Sequence, residues 1–260
     1  MSFWAGTILK IYTILEINEV TFKKEKGFVL SKIKSKKKRW LYMVNYGEAI
    51  KRPFKDIKKL SIGAVLYMVP LLSIITGLFA SGYSLTAART AMRRNFNLPE
   101  WQDWGTLFVN GLLAAIIGLI WFIPALIVWA VVAGTSIAAA LQGGDVMAAL
   151  GAMGIGVVIA GLLTLAIAYI SPIAVLAYAE TGKFSAGFNF GAILGKAFTG
   201  KWFVAWLVAL IWSIVVGVIG GLLSAALAIT IVLPFVITGY ISFITLVSSL
   251  TILGEAYGER

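Results

Sequence analysis

Residues 60–83 form an almost uncharged stretch with Pro70 near the middle, Lys58 and Lys59 just before it, and Arg89, Arg93 and Arg94 just after it. As one helix it would be about 36 Å long, enough to cross a hydrocarbon core of roughly 30 Å with some tilt. An interior proline, however, loses one backbone hydrogen bond and clashes with the preceding turn. Split at Pro70, each part reaches only part of the way across. The stretch reads as membrane-embedded, and one crossing or a turn at Pro70 gives two different topologies for everything downstream.

The rest of the chain agrees with a bilayer. Of its 260 residues 60% are hydrophobic and 13% charged, the mean hydropathy is +0.94, and several apolar runs exceed eighteen residues. This length holds about five membrane segments with short connections and leaves no room for a separate soluble catalytic domain. There is no cysteine and no histidine. Disulfides, thiolate metal sites and imidazole ligands are therefore absent, and so is the side chain that most often serves as general base. No cofactor or metal is implied. The net charge of +11 reads as positive-inside anchoring and attraction to anionic lipid headgroups rather than as a nucleic-acid footprint.

Residues 1–42 differ in character from the rest of the chain and carry ten of the 22 basic residues. Their apolar start is too short and too interrupted by Lys10 and Glu16 to span, and no small-residue cleavage site comes after it. Two readings stand: a basic arm at the lipid surface, or an over-extended reading frame with the native start at Met43. The second is preferred, because residues 43–260 read as one helical membrane domain.

Residues 45–59 read as a basic amphipathic interfacial helix. Pro53 suits a first helical turn. Phe54, Ile57, Leu60 and Ser61 fall on one side, while Lys51, Arg52, Lys55, Lys58 and Lys59 fall on the other. Leu85, Ala88, Met92 and Phe96 form a second interfacial stripe flanked by Arg89 and Arg93. Next, Asn97 is placed to cap a short helix with Pro99 in its first turn. Trp101 and Trp104, three residues apart, read as depth anchors of the aromatic belt.

Four spanning helices come next, over 107–132, 146–178, 202–228 and 231–253. Pro124 and Pro172 mark kinks or breaks, and Pro234 sits in the first turn of the last helix. Between them, 180–201 is a polar break carrying Phe184, Phe188, Phe190 and Phe198, a further interfacial candidate. Gly217 with Gly221, and Gly191 with Gly195, have the four-residue spacing that permits close helix approach. No ionisable group lies in the middle of the four long runs, which disfavours ion-coupled transport. Asn110, Thr164, Ser171, Ser213, Ser224, Thr230, Thr238 and Ser242 are polar at depth, where hydroxyls commonly bond their own backbone. Glu100, Asp103, Glu180 and Glu255 lie at helix ends and read as solvated.

Three motifs carry a family likeness: YGEAIKRPF at 46–54, SGY at 81–83 with its trailing arginines, and LPEWQDW at 98–104. In this order they resemble the prokaryotic membrane family called domain of unknown function 4013, from about Met43 to the C-terminus. The resemblance implies a helical integral membrane domain without assigned activity, found largely in archaea and bacteria. More remotely the chain is similar to the membrane domain attached to some glycerophosphodiester phosphodiesterases, whose catalytic barrel is absent here.

The expectation is an all-α polytopic membrane protein of the cell membrane. It has four long spanning helices, a Pro-broken element that re-enters or spans, and amphipathic interfacial helices. A non-enzymatic, membrane-organising or lipid-interacting role leads, with membrane lipids as partners; a passive channel or carrier comes next, then an enzyme acting on lipid headgroups. Positive charge favours the turn at Pro70. If 60–83 crosses with the N-terminus inside, Arg89, Arg93, Arg94, Lys183, Lys196 and Lys201 lie outside. If it turns, all 22 basic residues share one face with the N-terminus in the cytoplasm, and Asp145 alone marks the other.

Overall fold

The computed structural model describes residues 44–141, 146–230 and 232–258, and the chain divides between Met43 and Val44. The expectations for residues 1–42 and the position of Asp145 lie outside the described residues.

The described chain is all-α, with eight α-helices and three short 3-10 turns. They are α1 (Tyr46–Lys51), a 3-10 turn (Arg52–Lys55), α2 (Ile57–Met68), α3 (Pro70–Met92), α4 (Trp104–Leu141) and α5 (Val146–Thr181). A second 3-10 turn (Phe184–Phe188), α6 (Phe190–Ala197), α7 (Gly200–Ala226), a third 3-10 turn (Ala228–Thr230) and α8 (Val232–Gly258) complete it. Five of the helices are long and apolar enough to cross a membrane, α3 being the fifth beside the four expected. The protein is a multi-pass membrane protein.

The 45–59 region is three pieces rather than one interfacial helix. Asn45 caps α1 by accepting from Glu48 N at 3.2 Å. Pro53, lacking an N–H and crowding the turn before it, sits in the 3-10 turn. Asp56 then leaves helical geometry (φ −144°, ψ 102°) and caps α2 by accepting from Lys59 N.

The chain reverses at the 69–70 junction. Val69 is extended, and Pro70 opens α3 in the first-turn position where its missing donor costs least. The two helices then run back along each other: Thr76 Oγ1 donates to Leu66 O at 2.5 Å, and Tyr67 OH to Gly77 O at 3.4 Å. The hairpin is unequal. With twelve residues α2 is about 18 Å long, whereas the 23 residues of α3 reach about 34 Å. The start of α2 therefore lies level with the middle of α3. The chain doubles back along α3 over 93–103 to the same level, where Tyr83 OH donates to Pro99 O and Trp101 Nε1 to Lys59 O. Residues 97–103 are irregular instead of a short helix, because their polar groups bond across to α2 and α3 rather than along a helix of their own.

From that level α4 departs antiparallel to α3. A Cβ on Gly82 would overlap the Leu107 carbonyl, and one on Gly111 the Leu78 carbonyl. The two backbones touch at this crossing, which only paired glycines permit. Beyond it α5 returns along α4, with Trp129 Nε1 donating to Thr164 Oγ1 at 3.0 Å and Gly156 against Val132. Likewise α7 and α8 pair antiparallel, through Ser213 with Ser249 and Gly220 against Ile241. Helix α8 is central. It runs alongside α3, with Gly254 on the Ala88 backbone and Gly258 on Met92, and antiparallel to α2, with Gly239 on the Ala64 carbonyl. Its exposed large apolar residues are confined to Val232, Leu233 and Phe235, while α4 and α7 present apolar side chains along their length. Pro124 and Pro172 do not end their helices; with no water to bond freed backbone groups, the flanking turns keep their helical bonds.

Two expectations on packing are corrected. Gly217, Gly221 and Gly195 have open space around them, and Gly191 meets only an Asn189 side-chain oxygen. Spacing along one helix says nothing of whether a neighbour lies against it. Leu85 and Ala88 are buried in the protein core and not laid on a membrane surface, because α1, α5 and α8 close around the lower half of α3.

These hairpins bring every described Lys and Arg, from Lys51 to Lys201, to one end of the bundle, with the 69–70 turn and the α7–α8 turn at the other. In this cysteine-free chain, single cysteines replacing the exposed Lys51 and Gln102, which flank the hairpin, are expected to react alike with an impermeant thiol reagent on intact cells; 51 and 102 reacting oppositely would contradict the hairpin. Gly82→Ala is expected to lower stability in a detergent unfolding titration by about 3 kcal/mol, the upper range for overpacking against atoms that cannot change rotamer. Gly217→Ala is expected to change it little.

Candidate functional site

Below the level of Tyr83 the bundle holds an unusual polar core. Arg52 is fully buried. Its Nη1 donates to Ala87 O at 2.7 Å and Thr251 Oγ1 at 3.1 Å, and its Nη2 to Thr90 Oγ1 at 2.5 Å and Asn97 O at 2.7 Å. One guanidinium thus ties α3, α8 and the 93–103 segment to the 3-10 turn. The rigid fork of donors makes this possible for Arg and not for Lys. No carboxylate is among these partners, and Nε has none. Burial pulls its pKa down to about 10, so it stays charged at neutral pH, held by carbonyl and hydroxyl dipoles. As an expected lipid-facing anchor Arg52 is therefore corrected: four oxygens from α3, α8 and the 93–103 segment converge on its guanidinium and hold it inward.

Glu255, expected at a solvated helix end, is also buried. Its Oε2 accepts from Asn45 N at 2.8 Å, and Oε1 lies 3.4 Å from Arg94 Nη2. Arg94 has a positive φ of 58° and ends α3: its N–H reaches Ala91 O and that of Asn95 reaches Thr90 O. This is a Schellman cap, whose left-handed position normally takes glycine. An arginine there is strained by about 1 kcal/mol, offset by its pairing with Glu255. The glutamate lies on a four-residue stripe with Gly239, Phe243, Val247 and Thr251, a periodicity that marks it as inward-facing.

The remaining expected anchors divide. Lys51, Lys55, Lys58, Arg93 and Trp104 are exposed, while Lys59, Arg89, Arg94 and Trp101 are half-buried. Lys59 Nζ bonds Glu100 at 2.6 Å and Leu98 O at 3.2 Å, and Arg89 Nε bonds Ala179 O. Trp101 is stacked on Tyr83 with ring centroids 4.0 Å apart, and on Trp104 at 5.3 Å. It fastens the 93–103 segment to α3. The hydroxyls at depth behave as expected: Thr164, Ser213 and Thr238 each donate to the carbonyl four residues back. Asn110 accepts from Tyr178 OH.

A concave feature on the outside is a groove of about 350 Å³ between α5, α6 and α7. Leu162, Leu165, Ala166 and Tyr169 of α5 form one wall. Phe203 and Trp206 of α7 form the other, and Ala197 and Phe198 close the end nearest the basic face. The aromatic polar atoms turn away from it: Tyr169 OH bonds Ala197 O and Trp206 Nε1 bonds Ala168 O. Tyr169 meets Trp206 edge-on at 5.2 Å. Sequence reasoning placed Phe198 in an interfacial segment but could not see the groove, whose walls lie 34 to 44 residues apart in the chain.

Among the described residues no group of three or more Asp or Glu is placed to hold a metal ion. Glu100 pairs with Lys59, and Asp103 caps α4.

No curated protein and no solved structure matches the chain, and nothing bears on the more distant likeness to the phosphodiesterase membrane domain. A family model does match, over residues 63–225, from within α2 to the end of α7 and so across the hairpin, the glycine crossing and the groove. By this match over more than half its length, the chain belongs to the family described as Protein of unknown function (DUF4013).

Proposed function

We propose that this protein is a lipid-interacting, membrane-organising component of the cell membrane that works without covalent chemistry, its basic end facing the cytoplasm. The observation that carries this is the α5–α6–α7 groove: it is open to the side, lined by Leu162, Leu165 and aromatic faces, and its polar atoms are bonded into the protein. A hydrocarbon chain fits such a surface, because it meets only apolar side chains and aromatic faces there, in van der Waals contact, and nothing polar has to be desolvated. Of the buried polar groups, Arg52 and Thr251 are joined to each other at the basic end, and Ser84 bonds its own helix at Ala80 O. A transport reading has no comparable support. The positive-inside rule, applied to the one-sided basic residues, supports the orientation.

The expected result is that protein purified in mild detergent retains phospholipid, measured by mass spectrometry of the extracted sample. Ala166→Trp, which fills the groove from an exposed position, releases it with the fold intact. Equal lipid in both would contradict the proposal. Reconstituted protein is expected to pass small polar solutes no faster than protein-free vesicles, and rapid flux would favour a channel.

A further inference from the structure

The 182–199 connection leaves α5 through Gly182, whose φ of 71° suits glycine, and reaches α7 by way of the second 3-10 turn and α6. Both helices it joins are long and apolar enough to cross the membrane, so it lies where the chain enters the bilayer. We infer that α6 is an interfacial wedge. Its outward stripe of Phe190, Leu194 and Phe198 enters the boundary between headgroups and acyl chains, widens the protein in the leaflet at the basic end, and gives it a preference for membrane that is convex on that side. The inference rests on the lipid reading above and adds where a second contact lies and what it does to the membrane. Phe190 and Leu194 stand outside the groove.

Exposure and position carry it. Ile193 and Ala197 are buried and seat α6 on the bundle. Beside them, at four-residue spacing, Phe190 is 59%, Leu194 40% and Phe198, just past the helix end, 87% exposed. The rest of the helix surface is the exposed Gly191, Ala192 and Gly195 with the half-buried Lys196, and residues 182–199 contain no acid. A short helix with a bulky apolar stripe beside small residues, placed between two membrane spans, lies in the interface plane with the stripe in lipid. The segment is fixed there. Asn189 caps α6 by accepting from Ala192 N at 3.2 Å, Gly187 O accepts from Trp121 Nε1 at 3.0 Å, and Ala197 O accepts from Tyr169 OH. Lys196 Nζ donates to Tyr257 O at 2.6 Å. A stripe held in this way displaces lipid permanently. Phe54 and Ile57, around the start of α2, add another exposed apolar pair at the same end. The described connections at the opposite end are tight: Val69 alone separates α2 from α3, and a three-residue 3-10 turn lies between α7 and α8. Neither adds a helix in the membrane plane, so the extra area falls in one leaflet.

The test uses the full chain with Lys51→Cys in giant vesicles, labelled from outside with an impermeant fluorescent maleimide so that only molecules with the basic end outward are seen. The readout is the density of label on a nanotube pulled from the vesicle, relative to the flat membrane. A ratio above unity that rises as the tube narrows is expected. Phe190→Ser combined with Leu194→Ser, both at exposed positions, is expected to return the ratio to unity without shifting the unfolding midpoint in detergent. Ala166→Trp, in the groove, is expected to leave it unchanged. A bimane on Leu194→Cys is expected to be quenched by nitroxide-bearing lipids and not by iodide in the buffer. A ratio at unity for the unaltered stripe, or one that survives the serine pair, would overturn the wedge and leave the groove reading standing. Loss of the ratio in Ala166→Trp would assign the effect to the groove and overturn the wedge as well. So would quenching of the bimane by iodide alone, or energy transfer placing a second copy of the chain over the stripe.

Discussion

The lower half of this bundle depends on a single buried cation. Taking an isolated charge out of water costs several kcal/mol even after relaxation, and Arg52 has no acid beside it. The cost is met by four oxygen acceptors held at 2.5–3.1 Å on three separate segments. The other directional ties between those segments are single contacts, Tyr83 OH to Pro99 O and Arg94 to Glu255. Helices α3 and α8 touch through small residues, and the 93–103 segment has no backbone ladder of its own. The guanidinium fixes how deep α3 sits against α8 and where the chain doubles back. The level at which α2 and α4 begin is set by the same contact. The Schellman cap at Arg94 and the Glu255 contact close the same region from the side.

Above that level the packing is of another kind. Backbone meets backbone at Gly82 with Leu107 and at Gly111 with Leu78, and α8 lays Gly239 on the backbone of α2. Lipid offers no hydrophobic drive for helices to associate, so close van der Waals approach and interhelical bonds must hold them. The outer helices α4 and α7 accordingly leave large apolar side chains facing outward. Polar ties at one end and close contact at the other allow the groove between α5, α6 and α7 to stay open without weakening the bundle.

Much of this was legible in the chain. The long helices were, because an uninterrupted apolar run in a membrane has only one way to satisfy its backbone. The turn at Pro70 was legible through charge: only a reversal brings Lys58, Lys59, Arg89, Arg93 and Arg94 to one end. Arg52 was not, because in a run of Lys51, Arg52, Lys55, Lys58 and Lys59 composition cannot say which cation meets acceptors from residues 35 to 199 positions away. Glu255 could have been found, since it continues the four-residue stripe of Phe243, Val247 and Thr251. The glycine contacts were misplaced for a related reason: four-residue spacing describes one helix, and close approach is a property of two. The groove needs three elements at once and has no local signature.

The most direct test of the account is the unfolding free energy of Arg52→Met and Arg52→Lys in detergent micelles. Methionine relieves the burial of charge but leaves Asn97 O and Thr251 Oγ1 without their donor, at about 1–3 kcal/mol for each unsatisfied buried group. Lysine keeps the charge yet cannot reach four acceptors with one ammonium. The account predicts that both lose about 2 kcal/mol or more. Stability of either within about 0.5 kcal/mol of the unaltered protein, the usual range for surface changes, would contradict it.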